Sequence, residues 1–207
     1  MSAAGEDRAR RMLYIVGGVG ILALAAVVIF LGTRQATGHG KPTPVNFATL
    51  PGLQTGKPPW NTGVATLDER LQPLGLHALT TEGQVIHIHQ HLDIYVNGKH
   101  VTVPAGIGIQ PGDYIDELHT HDDSGRIHLE SPTKRNYSLG QFFGAWGVRL
   151  DKQCIGGVCG NLTWYLNGKL QHSNPAKHVL KAHDEIVIVS GPKPKKIPKS
   201  YNFPPGL

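Results

Sequence analysis

Histidine recurs at every second position in His87-Ile88-His89-Gln90-His91 and again in His119-Thr120-His121. A sixth histidine, His128, stands two residues before Glu130. Neutral imidazole is the commonest metal ligand among side chains. Residues two apart on a β-strand share a face, so each group can aim several ring nitrogens the same way. The candidate direct ligands are His89, His91, His119 and His121, with His87 and His128 as alternates. Asp122, Asp123 and Glu130 are candidates to orient the ligand rings as hydrogen-bond acceptors. Beside a three-histidine zinc site, Glu130 or Asp122 is also the candidate general base of a hydrolytic reaction.

The rest of the composition narrows the metal. Both methionines, Met1 and Met12, lie before or inside an apolar segment. The only cysteines, Cys154 and Cys159, enclose Ile-Gly-Gly-Val, a spacing that reads as a short disulfide loop rather than a thiolate site. Without soft ligands the histidine set suits Zn2+ or Cu2+, ahead of Ni2+ and Fe2+. Cupin-like spacing would put a glutamate three or four residues after His-x-His, and Glu130 is nine after His121. There is no Gly-x-Ser-x-Gly, phosphate loop or dinucleotide fingerprint.

These side chains need strands to position them, and the sequence supplies strand signals. The run Leu92-Asp93-Ile94-Tyr95-Val96, Asn97-Gly98, Lys99-His100-Val101 is a hairpin signature. Leu162 to Leu166, Asn167-Gly168 and Lys169 to Gln171 use the same turn again. The run Asp122-Asp123-Ser124-Gly125 is turn chemistry, so 117–130 reads as a third hairpin, with His119 opposite His128 and Arg126 opposite His121. A bulge at Gly125 would slide that register by one residue. Ser138 caps the one helix expected outside the membrane, with Gln141 three residues on and Gly147 at its end. Leu139, Phe142, Phe143 and Trp146 form its core face, and 184–189 is a buried closing strand.

The expected fold is therefore α+β: an N-terminal transmembrane helix, then a β-rich, β-grasp-like extracytoplasmic domain with one helix packed on a mixed sheet. Residues 12–32 carry no charge over a length that crosses about 30 Å of hydrocarbon. Arg8, Arg10 and Arg11 precede them, which keeps 1–11 in the cytoplasm and exports the remainder. Residues 33–74, rich in Pro and Gly, read as a stalk, with Trp60 and the run 65–71 as candidates for docking on the domain. The His-rich domain is expected over 75–191, and 192–207 as a solvated, basic, Pro-rich tail. The net charge of +5 belongs to the appendages: between Gly75 and Gly191 there are 9 Lys plus Arg against 11 Asp plus Glu. That distribution argues against a nucleic-acid partner. His100, His172, His178 and His183 lack the spacing and read as surface residues.

Two resemblances add to this reading. The stretch Trp164-Tyr165-Leu166-Asn167-Gly168-Lys169, with Ala182-His183-Asp184-Glu185-Ile186, resembles the C-terminal half of transcobalamin-C-terminal-like β-grasp domains. Ala182-His183 stands where those domains have glycine. From His87 onward the chain resembles a family of bacterial single-pass membrane-anchored proteins. The motifs are His-x-His-x-His-Leu, Val-Pro-Ala-Gly-Ile-Gly, Leu-His-Thr-His-Asp-x-Ser-Gly-x-Ile-His-x-Glu and Leu-Gly-Gln-Phe-Phe. This second resemblance implies a membrane anchor and brings no activity with it. Three functions remain open: a tethered metal-binding module, a zinc-dependent hydrolase, and a metal-free accessory subunit of a membrane complex.

Overall fold

The computed structural model describes residues 45–207. The expected anchor at 12–32 lies outside the described residues, as do its flanks up to residue 44. Among the described residues no helix is long and apolar enough to cross a membrane. In chain order the elements begin with a 3-10 turn (Val64–Thr66) and helix α1 (Leu67–Leu74). Strands β1 (Ile86–Val96), β2 (Lys99–Val101), β3 (Ile109–Gln110), β4 (Tyr114–Ile115), β5 (Leu118–His119) and β6 (Arg126–Ser131) follow. Helix α2 (Leu139–Trp146) precedes β7 (Cys154–Ile155), β8 (Val158–Cys159), β9 (Leu162–Leu166), β10 (Lys169–Gln171) and β11 (Glu185–Ser190).

The main sheet runs β10-β9-β11-β1-β6-β5, with β2 paired to the end of β1. β1 and β11 are parallel neighbours at the centre, and the other pairs are antiparallel. The alternation along β1 decides the two faces. Leu92, Ile94 and Val96 turn to the core side, while His87, His89, His91, Asp93 and Tyr95 occupy the other. Asn97 (φ 51°) and Gly98 (φ 77°) supply the positive-φ pair that the primed turn into β2 demands. Asn167 and Gly168 repeat it between β9 and β10, with φ 51° and 76°.

Helix α2 is built as its sequence indicates. The Ser138 side chain accepts from the Gln141 amide, the Gln141 side chain accepts from the Ser138 amide, and Gly147 ends the helix at φ 71°. Leu139, Phe142, Phe143 and Trp146 are all at most 1 % exposed in the core. The disulfide between Cys154 and Cys159 is formed and closes the β7–β8 ribbon.

Two boundaries differ from expectation. The compact unit begins at Val45, not at residue 75. Leu50, Trp60, Leu67, Leu71 and Leu74 are buried in the same core as α2, and α1 is a second helix where only a docking run was expected. Apolar residues spaced among prolines and glycines gave no sustained period, and their burial comes from the surface they meet. Arg70 anchors this segment. Its guanidinium is fully buried and donates to the carbonyls of Gly144 (2.7 Å), Ala145 (2.9 Å) and Gly63 (2.6 Å). A cation at the C-terminal end of α2 satisfies carbonyls that have no helical partner and complements the helix dipole.

The second change is at the C-terminus. Residues 192–207 do not hang free: the Tyr201 ring stacks on His91 with centroids 3.9 Å apart, and Phe203 stacks on His183 at 4.8 Å. Lys193, Lys195 and Lys196 stay exposed, so the tail keeps its charges in water while its aromatics cover the sheet. His183 has φ 62°, the conformation for which glycine is the default. Its amide donates to His89 O at 2.7 Å and its ring meets the tail, contacts that hold the strained residue in place.

Replacing Arg70 by Met removes five donors and leaves the buried carbonyls bare. At about 1–3 kcal/mol for each orphaned group, a loss of at least about 3 kcal/mol is expected in urea unfolding at constant m-value. A loss below about 1 kcal/mol would mean that the segment 45–74 is not anchored through this residue.

Candidate metal centre

The cross-strand register, together with the face alternation, assembles the histidines. His89 of β1 is the register partner of His128 on β6, and His128 is in turn the partner of His119 on β5. One row of the sheet therefore carries three imidazoles. The next row pairs His87 with Glu130. The expected facing of His119 and His128 is present. The β5–β6 ladder ends there, so His121 lies in the loop beyond β5 rather than in a strand opposite Arg126. It still reaches the cluster. His121 is 4.6 Å from His128 and 4.8 Å from His119 between ring centroids, and His89 is 4.5 Å from His128.

Glu130 is the centre of the arrangement. Its carboxylate is 2 % exposed, with Oε1 3.0 Å from His128 Nδ1, 3.3 Å from His87 Nε2 and 3.8 Å from His89 Nε2. Burial opposes ionisation of Glu130, but the His128 hydrogen bond and the neighbouring His119 and His87 override it, holding its pKa below the usual carboxylate range. The imidazoles respond in the opposite sense. Burial, with His128 and His87 close by, lowers the pKa of His89 to about 4. Burial lowers that of His119 to about 3. At neutral pH both rings are uncharged, the form that binds a metal.

The hydrogen bonds decide which nitrogen is free. His119 Nδ1 lies 2.8 Å from the carbonyl oxygen of Asp116, which can only accept, so Nδ1 carries the proton. Nε2 is then a bare lone pair. It is buried with no partner, and so are His89 Nε2 and Glu130 Oε2. Unpaired buried polar atoms are costly and uncommon in a folded protein. Nitrogen and carboxylate donors are also the set that Zn2+ or Cu2+ takes. Among the described residues three groups have donor atoms close enough to hold an ion, and two of them lie in this cluster: His119, His121, His128 and Glu130, and His87, His89 and Glu130. Within each, the atoms lie within 4.8 Å of one another.

His91 departs from its expected role. Its Nε2 donates to the Ser124 carbonyl at 2.9 Å, its Nδ1 meets Glu185 Oε2 at 2.9 Å, and Tyr201 covers the ring. Burial opposes a charge on His91 and the Glu185 contact outweighs it, so its pKa rises. Both nitrogens are committed to protein partners. His91, Asp93 and Glu185 do come within 4.8 Å of one another. Arg126, the register partner of His91, puts a guanidinium on the same row, which disfavours a second cation there.

Asp122 and Asp123 orient no ring. Asp122 pairs with Arg126 and accepts from the Ser124 amide at 3.0 Å, so it shapes the turn, and Asp123 is exposed. His100 meets Asp93 at 2.9 Å, His172 and His183 are exposed, and His178 is half-buried against Asp184 at 2.8 Å. Two contributors gave no spacing signal. Glu82 approaches His121 Nε2 at 3.2 Å from the loop before β1. Asp116 also shapes the approach to β5, its side chain accepting from the Leu118 amide two residues on. Gly108 lets the backbone pass behind: a Cβ there would sit 2.4 Å from Leu118 O and 3.1 Å from the His119 Cβ.

The depressed pKa values carry a sign. Unfolded histidines take up protons below about 6.5, whereas His89 and His119 wait until about 4 and about 3. Between those values the unfolded chain binds more protons, so acid weakens the fold and stability rises with pH. In the metal-free protein, ring NMR signals of His89 and His119 are expected to titrate below pH 5, with the melting temperature falling from pH 6.5 downward. Midpoints near 6.5 for both rings would mean that the cluster is open to water. No family model, curated protein or solved structure matches the chain.

Proposed function

We propose that the protein is a membrane-tethered, extracytoplasmic metal-binding module that holds Zn2+ or Cu2+ in a histidine cluster on a β-grasp-like scaffold. The observation that carries the metal reading is the set of buried, unpartnered donors His89 Nε2, His119 Nε2 and Glu130 Oε2 in one cluster. His119, His121, His128 and Glu130 are the ligand set for the ion. Asp116 fixes the His119 tautomer through its carbonyl. A parallel pair of first and last strands, flanked by hairpins and covered by α2, supports the β-grasp-like assignment. The uncharged run 12–32 behind Arg8, Arg10 and Arg11 supports the tether, and the closed disulfide supports an oxidising compartment.

A hydrolytic reading draws on one observation. His121 is 41 % exposed at its side chain, so an ion held by His119, His121 and His128 alone would meet solvent and keep a fourth position for water, with Glu130 as base. The role as a metal-free accessory subunit predicts no ion at all.

Chelation separates both metal readings from the metal-free role. Full-length protein saturated with Zn2+ or Cu2+ is expected to melt higher than after chelator treatment. At a free ion concentration a thousandfold above Kd the difference is worth about 4 kcal/mol. The His119→Ala/His121→Ala double variant is expected to lose both the ion and the shift, while His100→Ala and His172→Ala retain them. Equal melts with and without chelator, and equal metal content in the wild type and the double variant, would leave the metal-free role.

A further inference from the structure

We infer that the cluster holds two metal ions, bridged by the two oxygens of Glu130. This rests on the metal-binding reading above and adds a second site to it. Five imidazoles converge on one carboxylate, and a structural zinc site is almost always four-coordinate. One tetrahedral ion therefore cannot use them all.

The geometry divides the donors in two. His119, His121 and His128 form one group with Glu130, and His87 and His89 form another with the same glutamate. Glu130 is the only member they share. An ion in the first group leaves His89 Nε2 buried, 3 % exposed at its side chain, and without a partner. An ion in the second group gives that nitrogen a partner. His87, 43 % exposed at its side chain, completes this group from the rim and gives the ion a path from solvent.

The carboxylate has a free oxygen for the task. Oε1 lies within 3.8 Å of His87 Nε2, His89 Nε2 and His128 Nδ1, whereas Oε2 is buried and bonded to nothing. A carboxylate with an oxygen toward each ion would hold them at the separation of about 3.5–4 Å common in two-metal sites. Its single negative charge also screens the repulsion between two divalent ions. Arg126, one row along the sheet, bounds the cluster on the His91 side.

The test is a metal count with a magnetic readout on full-length protein. After loading with Cu2+ and removal of free ion, elemental analysis is expected to give two ions per chain. Coupling through the carboxylate is expected to weaken the ordinary mononuclear Cu2+ resonance well below the intensity for two isolated ions. His87→Ala, a rim substitution that leaves the core intact, combined with His89→Ala, is expected to leave one ion and restore the full mononuclear signal. Glu130→Gln is expected to abolish the coupling. If the double variant does not fold, His87→Ala alone is expected to weaken the second ion at least tenfold in a titration. One ion per chain in the wild type overturns the second site and leaves the first. Two ions with two full, uncoupled signals overturn the bridge. No ion at all overturns the metal-binding reading itself.

Discussion

A buried carboxylate surrounded by imidazoles is the constraint on which the rest of the structure depends. Taking Glu130 out of water is costly unless its charge is met by hydrogen bonds or by a cation. The His128 ring meets it in part, at 3.0 Å, and one oxygen is left bare. Desolvation also keeps His89 and His119 uncharged, so proton uptake is a poor way to balance the site. A metal ion would supply positive charge without protonating the rings. The fold holds an unfavourable set of polar atoms together, and tightly packed strands are what make that tolerable.

Those strands carry two different loads on their two faces. On one face Leu92, Ile94, Ile127, Leu129, Ile186 and Ile188 pack into the core with α2. On the other lie the histidines, Glu130 and Glu185, with the tail folded over one end through Tyr201. Stability and chemistry are thereby separated by the thickness of a single sheet. The segment 45–74 reinforces the core side, with Arg70 tying α1 to the end of α2. Such a scaffold holds ring positions without asking the site residues to contribute apolar packing, a division that preorganised binding sites require.

Much of the local structure was legible in the residues themselves. The Asn-Gly turns, the Ser138 capping box, the Gly147 stop, the Cys154–Cys159 pairing and the facing of His119 with His128 all rest on interactions within a few residues or across one tight turn. Turn chemistry and side-chain period are properties of short segments, so the α+β class and the presence of a histidine cluster follow from them. The helix at Leu67–Leu74 and the packed tail did not follow. Leu67, Leu71 and Leu74 share a face over a helix of only 8 residues, the tail has no period of its own, and both are buried by surfaces far away in sequence.

The partition of the histidines was decided by tertiary structure alone. Period two puts His87, His89 and His91 on one face, but at about 3.3 Å per residue His87 and His91 stand about 13 Å apart along the strand. One ion cannot reach both. What each ring does is set by the residue opposite it. His87 faces Glu130, His89 faces His128, and His91 faces Arg126 on one side and Glu185, 94 residues away, on the other. The sequence by itself determined that these rings share a face. Which strands lie beside that face, and in what register, determined which rings come together and which is locked to the protein. Cross-strand neighbours are chosen by the packing of the whole sheet, and no spacing within one strand encodes them.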